Sequence, residues 1–519
     1  MATPQEKLAE SLDALKRLQE HGLIAIRSTD LTRVQRERLS SAGFLREVMK
    51  GWYVAARPDE DAGESTSWYT SFWAFCAQYL RARFGDDWCL APEQSLSVLA
   101  GNRTVPRQLV FRAPGADNKP TSLPYNTSLF GMRASLPDES DTVVQDGLRM
   151  FSLPAALLAC SSSYFEHHPT DARAALSMVR DASTVLEPLL AGGHSTIAGR
   201  LAGAFRDIGR DRIAVDIVAT MQAAGYSVRE STPFASRLSF PTTGSRTSSP
   251  HVARIRLMWA AMRGKVPDQF PDAPGLPDDS GRYLQAVADA YVTDAYHSLS
   301  IEGYRVSPQL IERVRSGDWK PDTEAADRNQ RDALAARGYF QAYQAVRDSL
   351  RRVLGGDHPG LVADEDHGIW YRQMFAPSVH AGLIEARDLA GYRNAPVYIR
   401  RSKHVPPSPE AVRDALPALY ELLAEEPDPA VRVVLGHFVF VYIHPYMDGN
   451  GRMGRFVMNL MLAGGGYPWT VVPLERRDTY MQALESASAD QDIVPFARFV
   501  GELVAAAMEG HSIAHPPIR

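Results

Sequence analysis

The chain has 519 residues, of which 45% are hydrophobic and 23% are charged, and its formal net charge is -5. This length predicts two to four domains with real cores, and the charge argues against a surface that coats nucleic acid as a whole. The cysteines, Cys76, Cys89 and Cys160, are widely spaced and lack metal-ligand spacing. We therefore expect free thiols in a reducing cytoplasm. The first residues are polar and no apolar run could span a bilayer, so neither a secretory leader nor a membrane partner is expected.

The first predicted elements are two helices followed by a hairpin. Residues 8–15 carry leucines on one helical face, and the polar cluster at residues 28–30 can cap a second helix that stops at Gly43. Residues 44–54 have the pattern of a hairpin. This order predicts a winged helix-turn-helix domain over residues 1–60.

The winged helix leaves two functions open. Arg33, Arg36 and Arg38 lie on its second helix, and Arg46 and Lys50 lie on the wing. Up to position 55 the chain carries nine Lys/Arg and seven Asp/Glu, a balance of +2. A DNA-binding role needs a basic face, which this balance supplies only weakly. The alternative is a domain that binds a partner protein.

The middle of the chain predicts an α/β body followed by a linker. Residues 61–228 mix an aromatic helix with strand-like pieces and further helices. The wing, GFLREVMKGWYV, and the segment LAPEQSLSVLAG resemble antitoxins of abortive-infection toxin–antitoxin systems, which join a winged helix to an α/β body. Residues 229–280 are rich in Ser, Thr, Pro and Asp, which predicts a linker and loops. From residue 281 to 510 the pattern is helical throughout.

A polar turn between two core helices carries the chemistry of the helical half. Residues 433–443 form an apolar run that suits a buried helix, which Asp428 can cap. A second helix is expected to open near Asn450 and to close at the glycines of residues 464–466. The turn between them, with the start of the second helix, reads HPYMDGNGRMGR over residues 444–455.

This turn has the features of a polyphosphate cradle. Gly449 and Gly451 let the backbone approach a bulky ligand, and the free N–H groups at the start of the second helix favour an anion. Arg452 and Arg455 are three residues apart, so they share one face and can grip neighbouring phosphates.

A metal ligand and a base lie in the same turn. Asp448 is a hard oxygen ligand suited to Mg²⁺ that is shared with phosphates. His444 has an imidazole whose ordinary pKa is near neutrality, so it can take a proton from a nucleophile. Together with the cradle, these residues predict a phosphotransfer site, in which positioning and charge neutralisation supply most of the rate.

The string at residues 444–455 resembles the signature of the Fic family, H-x-F-x-(D/E)-G-N-G-R-x-x-R. It departs from the signature only at Tyr446, where the family usually has an inward-packed Phe. The resemblance implies a C-terminal all-α Fic domain with a β-hairpin flap, following the N-terminal winged helix and α/β body. It further implies an ATP-using, Mg²⁺-dependent enzyme that transfers AMP to a Ser, Thr or Tyr hydroxyl of a target protein and releases pyrophosphate.

The resemblance also assigns roles to the residues of the turn. His444 would remove the proton of the hydroxyl, and Asp448 would hold the metal. The α-phosphate would lie against Gly449, Asn450 and Gly451. The β- and γ-phosphates would bind Arg452 and Arg455. After the signature, Tyr480 is expected to border the adenine.

A second motif predicts autoinhibition. Residues 298–303 (SLSIEG) end a predicted helix and match the family pattern (S/T)-x-x-x-E-(G/N), with Ser298, Glu302 and Gly303 at the defined positions. In Fic proteins with an N-terminal inhibitory helix, the Glu pairs with the second signature arginine and blocks the γ-phosphate. The resemblance therefore implies a pair between Glu302 and Arg455. It also implies that the same Glu could orient water and remove AMP from a modified target.

A third segment predicts the flap that docks the target. Residues 395–402 read as a short hairpin bordered by prolines, and in the family this flap holds the target by strand addition. Val397, Tyr398 and Ile399 are the candidate docking residues. The alternative is a surface hairpin without a partner.

Several functions stay open at this point. Fic proteins can also use other nucleotides or transfer phosphate or phosphocholine, and the signature does not distinguish these reactions. The chain could instead be a DNA-binding regulator fused to a Fic toxin and controlling its own operon, or an adaptor whose winged helix recruits the substrate. The target protein and the oligomeric state, including a homodimer, are equally open.

Overall fold

The computed structural model describes residues 3–58, 60, 64–235, 249–318, 331–511 and 514–515. The chain divides into two compact units. The N-terminal unit contains Met1–Arg254 and Tyr398–Val405, and the C-terminal unit contains Ile255–Val397 and Pro406–Arg519.

The N-terminal unit begins with two helices and a small sheet. The elements are α1 (Pro4–Glu20), β1 (Ile26–Arg27), α2 (Arg33–Ser41), β2 (Leu45–Met49) and β3 (Trp52–Ala55). Thr3 and Thr32 form capping boxes that begin the two helices. The strands are antiparallel in the order β1-β3-β2. Both helices and the hairpin lie where the sequence predicts them, and the winged-helix interpretation stays a prediction.

The arginines of α2 mostly bond within this small domain. Arg33 is exposed and donates to Glu37 one turn later. Arg36 donates to two backbone carbonyls of the loop that precedes the helix, and Arg38 donates to the hydroxyl of Ser11 on α1. Since two of the three guanidinium groups are engaged in folding the domain, the basic face that DNA binding needs is weaker than the residue count suggests. The DNA-binding role stays a prediction.

The rest of the N-terminal unit is a mixed sheet followed by helices. Its first elements are α3 (Thr66–Phe84), β4 (Cys89–Leu90), α4 (Pro92–Leu99), β5 (Gln108–Arg112), β6 (Pro120–Leu123), β7 (Thr127–Met132), β8 (Thr142–Gln145) and β9 (Leu148–Phe151). The helices that follow are α5 (Leu153–Ala159), α6 (Ser162–His167), α7 (Pro169–Ser177), α8 (Ser183–Ala191), α9 (Ser195–Asp207) and α10 (Asp211–Ala223).

Aromatic side chains of α3 fill the core of this unit. Four strands pair in the order β4-β5-β7-β6, with β5 and β7 parallel, and β8 pairs with β9. Trp68, Phe72 and Phe75 of α3 are buried together with residues of this sheet, as their helical spacing predicts. Cys76, Cys89 and Cys160 are buried and free, and burial raises the pKa of each thiol.

The segment predicted as a linker contains a packed helix. Within residues 229–280, α11 (Pro250–Arg263) is helical, and the division between the two units falls inside it. Its apolar residues recur at helical spacing and are buried, notably Met258, Trp259 and Met262. Residues 236–248 lie outside the described part of the chain. Composition alone predicted a linker because the polar residues of the segment outnumber this apolar stripe.

The C-terminal unit is helical. Its helices are α12 (Ser280–Ile301), α13 (Pro308–Ser316), α14 (Arg331–Leu354), α15 (Pro359–His380), α16 (Pro409–Glu425), α17 (Pro429–Ile443), α18 (Asn450–Gly464), α19 (Arg477–Ala489) and α20 (Val494–Met508). Every residue of α17 after Pro429 is buried, which explains the apolar run in the sequence. None of the helices that the structure describes is long and apolar enough to cross a membrane.

Candidate active site

The polar turn connects α17 and α18 as the sequence predicts. Asp428 caps α17 by accepting the backbone N–H groups of its first turn, and Pro429 lies at the first position. His444 follows the helix in the left-handed conformation, with φ 54° and ψ 61°. Gly449, with φ 82°, precedes α18, which begins at Asn450. The six residues 444–449 therefore reverse the chain between two buried helices.

The imidazole of His444 is held in the form that a base requires. Its Nδ1 lies 3.1 Å from the carbonyl oxygen of Val441. A carbonyl can only accept a hydrogen bond, so Nδ1 carries the proton and Nε2 is left as the acceptor. Burial is the main cause that lowers the pKa of His444 to about 4, and the nearby charge of Arg393 acts in the same direction, against opposing effects of the bond to Val441 and of Glu302 and Asp448. The ring is therefore neutral at physiological pH.

Asn450 holds the turn closed. Its side chain accepts the N–H of Tyr446 at 2.9 Å and donates to the carbonyl of the same residue at 2.8 Å. The Tyr446 ring stacks on Tyr371 with 3.8 Å between centroids, so it packs inward as expected of the family's Phe. The buried hydroxyl of Tyr446 has no hydrogen-bond partner among the described residues. The backbone of the turn is thus fixed by a side chain that the sequence assigned to the phosphate cradle.

Arg455 is buried and bonded to the end of α12. Its Nη2 donates to Oε1 of Glu302 at 2.8 Å and to the carbonyl of Ser298 at 3.0 Å, and its Nε donates to the hydroxyl of Ser298 at 2.9 Å. Burial lowers the pKa of Arg455, but the Glu302 carboxylate together with Tyr480 and Tyr339 raises it more, so that the net change is upward. The two motifs that the sequence paired are therefore in contact.

A glycine lies on each side of this contact. Gly303, with φ 87°, ends the motif on the side of Glu302. On the other side, a Cβ at Gly451 would lie 2.3 Å from Oε1 of Glu302. The carboxylate therefore rests directly against the first turn of α18, where the sequence predicts the phosphates.

Arg452 lies between two aromatic rings. Its guanidinium is 5.1 Å from the ring centroids of both Tyr304 and Phe375, and it is almost fully buried. Its Nη2 lies 3.4 Å from Oδ2 of Asp448, and its Nε has no partner within the described ranges. Neither ring was predicted from the sequence. Tyr304, an aromatic residue two positions after Glu302, was the signal that could have indicated the contact.

Asp448 is the single acidic side chain of the turn. Its carboxylate is exposed, and Oδ1 accepts the N–H of Gly449 at 2.6 Å. Across the residues that the structure describes, no three His, Cys, Asp or Glu side chains are grouped to hold a metal ion. A single carboxylate fits Mg²⁺ when the remaining ligands come from phosphates and water. The residue present therefore matches the predicted type of metal site.

Tyr480 is buried and lies close to Arg455. Its hydroxyl lies 2.7 Å from Nε2 of His437 on α17. Burial lowers the pKa of His437 to about 3, so this imidazole is neutral. The structure places Tyr480 in the network that supports the arginine, and its contact with adenine stays a prediction.

The predicted β-hairpin at residues 395–402 is not formed. No strand is assigned to residues 391–408, all of which the structure describes. Pro396, Pro406 and Pro407 lack the N–H groups that a ladder needs, and Arg401 has a φ of 62°. Among the candidate docking residues, Val397 and Ile399 are half-buried and Tyr398 is 44% exposed.

The backbone of this segment pairs elsewhere. Tyr398–Val405 belongs to the N-terminal unit, where the backbone carbonyl of Lys403 accepts the N–H of Val105 at 2.9 Å. Arg400 forms two bonds to the buried carboxylate of Glu64, at 2.5 and 2.6 Å, and they lower the pKa of Glu64 to about 2. These contacts replace the hairpin that the sequence predicted.

Comparison with known proteins identifies the family of this site. Residues 370–462, which include the whole turn, match the Fic/DOC family. These residues are therefore similar to that family. The chain is 28% identical over 252 residues to the protein adenylyltransferase Fic of Nematostella vectensis, covering 48% of this chain and 55% of that protein. It is 29% identical over 220 residues to the protein adenylyltransferase fic-1 of Caenorhabditis elegans, covering 41% and 40%.

The chain thus spans about half the length of the curated relatives it matches. Among solved structures, residues 134–508 of Fic-1 from C. elegans superpose with a TM-score of 0.36 and 19% identity, covering 65% of this chain and 96% of that chain. The recognition of the Fic signature from the sequence is confirmed by the family match and by these relatives.

The buried hydroxyl of Tyr446, which has no hydrogen-bond partner among the described residues, leads to a prediction about the free energy of unfolding. We expect Tyr446→Phe to raise the free energy of unfolding by about 1 kcal/mol, because the substitution removes a buried polar group that has no partner. Tyr343→Phe is the matched control, since the Tyr343 hydroxyl donates to the carbonyl of Val287 at 2.7 Å. We expect this control to lower stability by about 1 kcal/mol. Urea denaturation of both variants measures the difference, and equal midpoints would contradict the assignment.

Proposed function

We propose that this chain is an autoinhibited protein adenylyltransferase, which moves AMP from ATP to a Ser, Thr or Tyr hydroxyl of a target protein. The observation that carries the proposal is the pair between Glu302 and Arg455 beside Gly451, because it brings the inhibitory motif and the signature together. The relatives named adenylyltransferases support the same chemistry. Because they match over only part of their length, the substrate and the partner belong to the proposal.

The reaction begins with the target hydroxyl at His444. The unprotonated Nε2 takes the hydroxyl proton while the oxygen forms a bond to the α-phosphorus of ATP. The bond from this phosphorus to the bridging oxygen breaks, and pyrophosphate leaves with the electron pair. The neutral imidazole suits this role, because protonation would abolish its acceptor.

The start of α18 neutralises the polyphosphate. The backbone N–H groups of the first turn after Gly449 point along the helix axis, toward the place where the polyphosphate of ATP would bind. Arg452 and Arg455 supply two positive charges on one face of the helix for the β- and γ-phosphates. Asp448 would hold Mg²⁺, whose charge offsets that of the leaving pyrophosphate when it is bound.

Glu302 restrains the reaction by competing for Arg455. In the inhibited state Nε and Nη2 of Arg455 donate to two oxygens of Ser298 and to the Glu302 carboxylate, and Nη1 has no hydrogen-bond partner among the described residues. The carboxylate lies against the first turn of α18, where the γ-phosphate would bind. A triphosphate must displace the carboxylate or bind with its α-phosphate out of line with the attacking oxygen. Inhibition and catalysis therefore use the same side chain.

The target is expected to dock near Tyr398, whose ring is exposed beside Val397 and Ile399. Because the segment forms no hairpin, strand addition would require its backbone groups to change partners. No contact at the active site favours the removal of AMP, the transfer of another group, or DNA-linked autoregulation over adenylyl transfer.

Removal of the inhibitory carboxylate tests the proposal. We expect Glu302→Gly to raise self-modification with α-labelled ATP about 10- to 100-fold, because a charged hydrogen bond worth roughly 1.5–3 kcal/mol no longer competes with the γ-phosphate. Adding His444→Ala to this variant is expected to reduce labelling about 10²- to 10⁴-fold. Scintillation counting and intact mass measure the transfer, and a mass increase other than that of AMP would contradict the reaction.

Glu312→Ala is the matched control, because Glu312 is an exposed acid on the next helix that pairs with Arg315 instead of Arg455. We expect its labelling to equal that of the unmodified chain. Equal activation by both substitutions would contradict the role of Glu302.

The pKa of His444 generates a prediction about pH. Because its pKa is lowered to about 4, the imidazole stays unprotonated between pH 6 and 8. Loss of Glu302 removes a carboxylate that raises the pKa of His444. The pH below which the transfer rate falls is therefore expected to be lower still in Glu302→Gly. We expect the transfer rate of Glu302→Gly to be flat over this range, with circular dichroism confirming that the chain stays folded. A rate that halves near pH 6.5, the ordinary value for His, would contradict the prediction.

A further inference from the structure

Arg393 is a buried cation outside the signature whose guanidinium contacts the active-site turn. Its side chain is only 2% exposed. Its Nε donates to the carbonyl of His444 at 2.8 Å, and its backbone N–H donates to the carbonyl of Pro445 at 2.9 Å. Both bonds reach the main chain of the turn and leave the imidazole free.

The same guanidinium also binds both ends of the segment predicted to dock the target. Its Nη1 donates to the carbonyl of Ala395 at 3.3 Å, and its Nη2 donates to the carbonyl of Pro407. One planar group therefore connects the active-site turn to the backbone at residues 395 and 407. The arrangement uses the fixed fork of an arginine, which an ammonium group cannot reproduce.

His444 needs this support because its backbone is strained. It is a non-glycine residue at φ 54° and ψ 61°, a left-handed conformation that residues with a Cβ rarely adopt. Its N–H donates to the carbonyl of Phe440 and its ring bonds to Val441, so two contacts fix the side of the residue that faces α17. The bond from Arg393 fixes its carbonyl and hence the direction in which the chain leaves the helix.

We infer that Arg393 is a positioning residue for the transfer reaction. It fixes the main chain of His444 relative to Ala395 and Pro407, the two ends of the docking segment. The inference rests on the proposed function. A small displacement of the base relative to the target hydroxyl reduces the rate of the chemical step. The bonds of Arg393 named above go to carbonyls of residues 395, 407, 444 and 445, so we expect its loss to affect the base and the docking segment before nucleotide binding by the first turn of α18.

The test separates turnover from nucleotide binding. In the Glu302→Gly chain, Arg393→Lys keeps the positive charge and removes the fork. We expect kcat to fall about 10- to 100-fold, while KM for ATP and the affinity for a non-hydrolysable ATP analogue, measured by calorimetry, stay within about twofold.

Arg432→Lys in the same parent is the matched control. Arg432 is also a buried arginine that donates to backbone carbonyls, those of Glu426 and Pro427, but it lies at the opposite end of α17 from His444. We expect this variant to lose comparable thermal stability and to keep the kcat of the parent.

Each remaining result overturns the inference. Unchanged kcat in Arg393→Lys would show that charge alone suffices. A parallel loss of kcat and nucleotide affinity, a loss of folded protein, or an equal loss of kcat in Arg432→Lys would show a general structural role. A Glu302→Gly parent that transfers no AMP would overturn the proposed function itself, and the inference with it.

Discussion

The pair between Arg455 and Glu302 is the interaction on which the rest of the site depends. A guanidinium that is buried in a helical core must have acceptors, and the partly exposed Glu302 carboxylate is one of them. A phosphate is an alternative acceptor that is also negatively charged. In the proposed enzyme the carboxylate therefore keeps Arg455 oriented in the absence of a nucleotide and competes with the triphosphate in its presence.

The geometry around this pair follows from a short reversal between two buried helices. With only six residues to turn the chain, His444 and Gly449 adopt left-handed conformations, and Asn450 closes the loop through two bonds to Tyr446. The proposed base is thereby placed at the end of one helix, and the N–H groups proposed to bind the anion are placed at the start of the next. Arg393 adds a brace from outside the turn, so the proposed catalytic geometry is supported by main-chain contacts on both sides.

Features that depend on short spacings could be predicted from the sequence. The turn between α17 and α18 and the cap at Asp428 follow from residue types at fixed separations. The contact of Glu302 with Arg455, which are 153 positions apart, was expected instead from the resemblance to the Fic family. The hydrogen bonds of Asn450 to the backbone of the turn could not be predicted from the sequence. A side-chain amide can bond to a backbone group or to a ligand, and residue type does not distinguish the two.

The misses depend on contacts between residues that are far apart in the chain. The hairpin at residues 395–402 was expected from its bordering prolines and from the resemblance to the Fic family, but Arg400 instead bonds to Glu64, more than three hundred positions earlier. The helix at α11 was hidden by the polar composition of its surroundings. The arginines of α2 were considered for a weakly basic face, and the sequence did not show that Arg36 and Arg38 bond within their own domain. Spacing alone cannot supply the partner in any of these cases.

The most direct measurement of the central claim is calorimetric binding of AMP and of a non-hydrolysable ATP analogue to the unmodified chain and to Glu302→Gly. AMP lacks the phosphate that competes for Arg455, so its affinity should be nearly the same in both chains. The affinity for the ATP analogue should rise about tenfold or more on loss of the carboxylate. An equal gain for both nucleotides, or no gain for the triphosphate, would contradict the account.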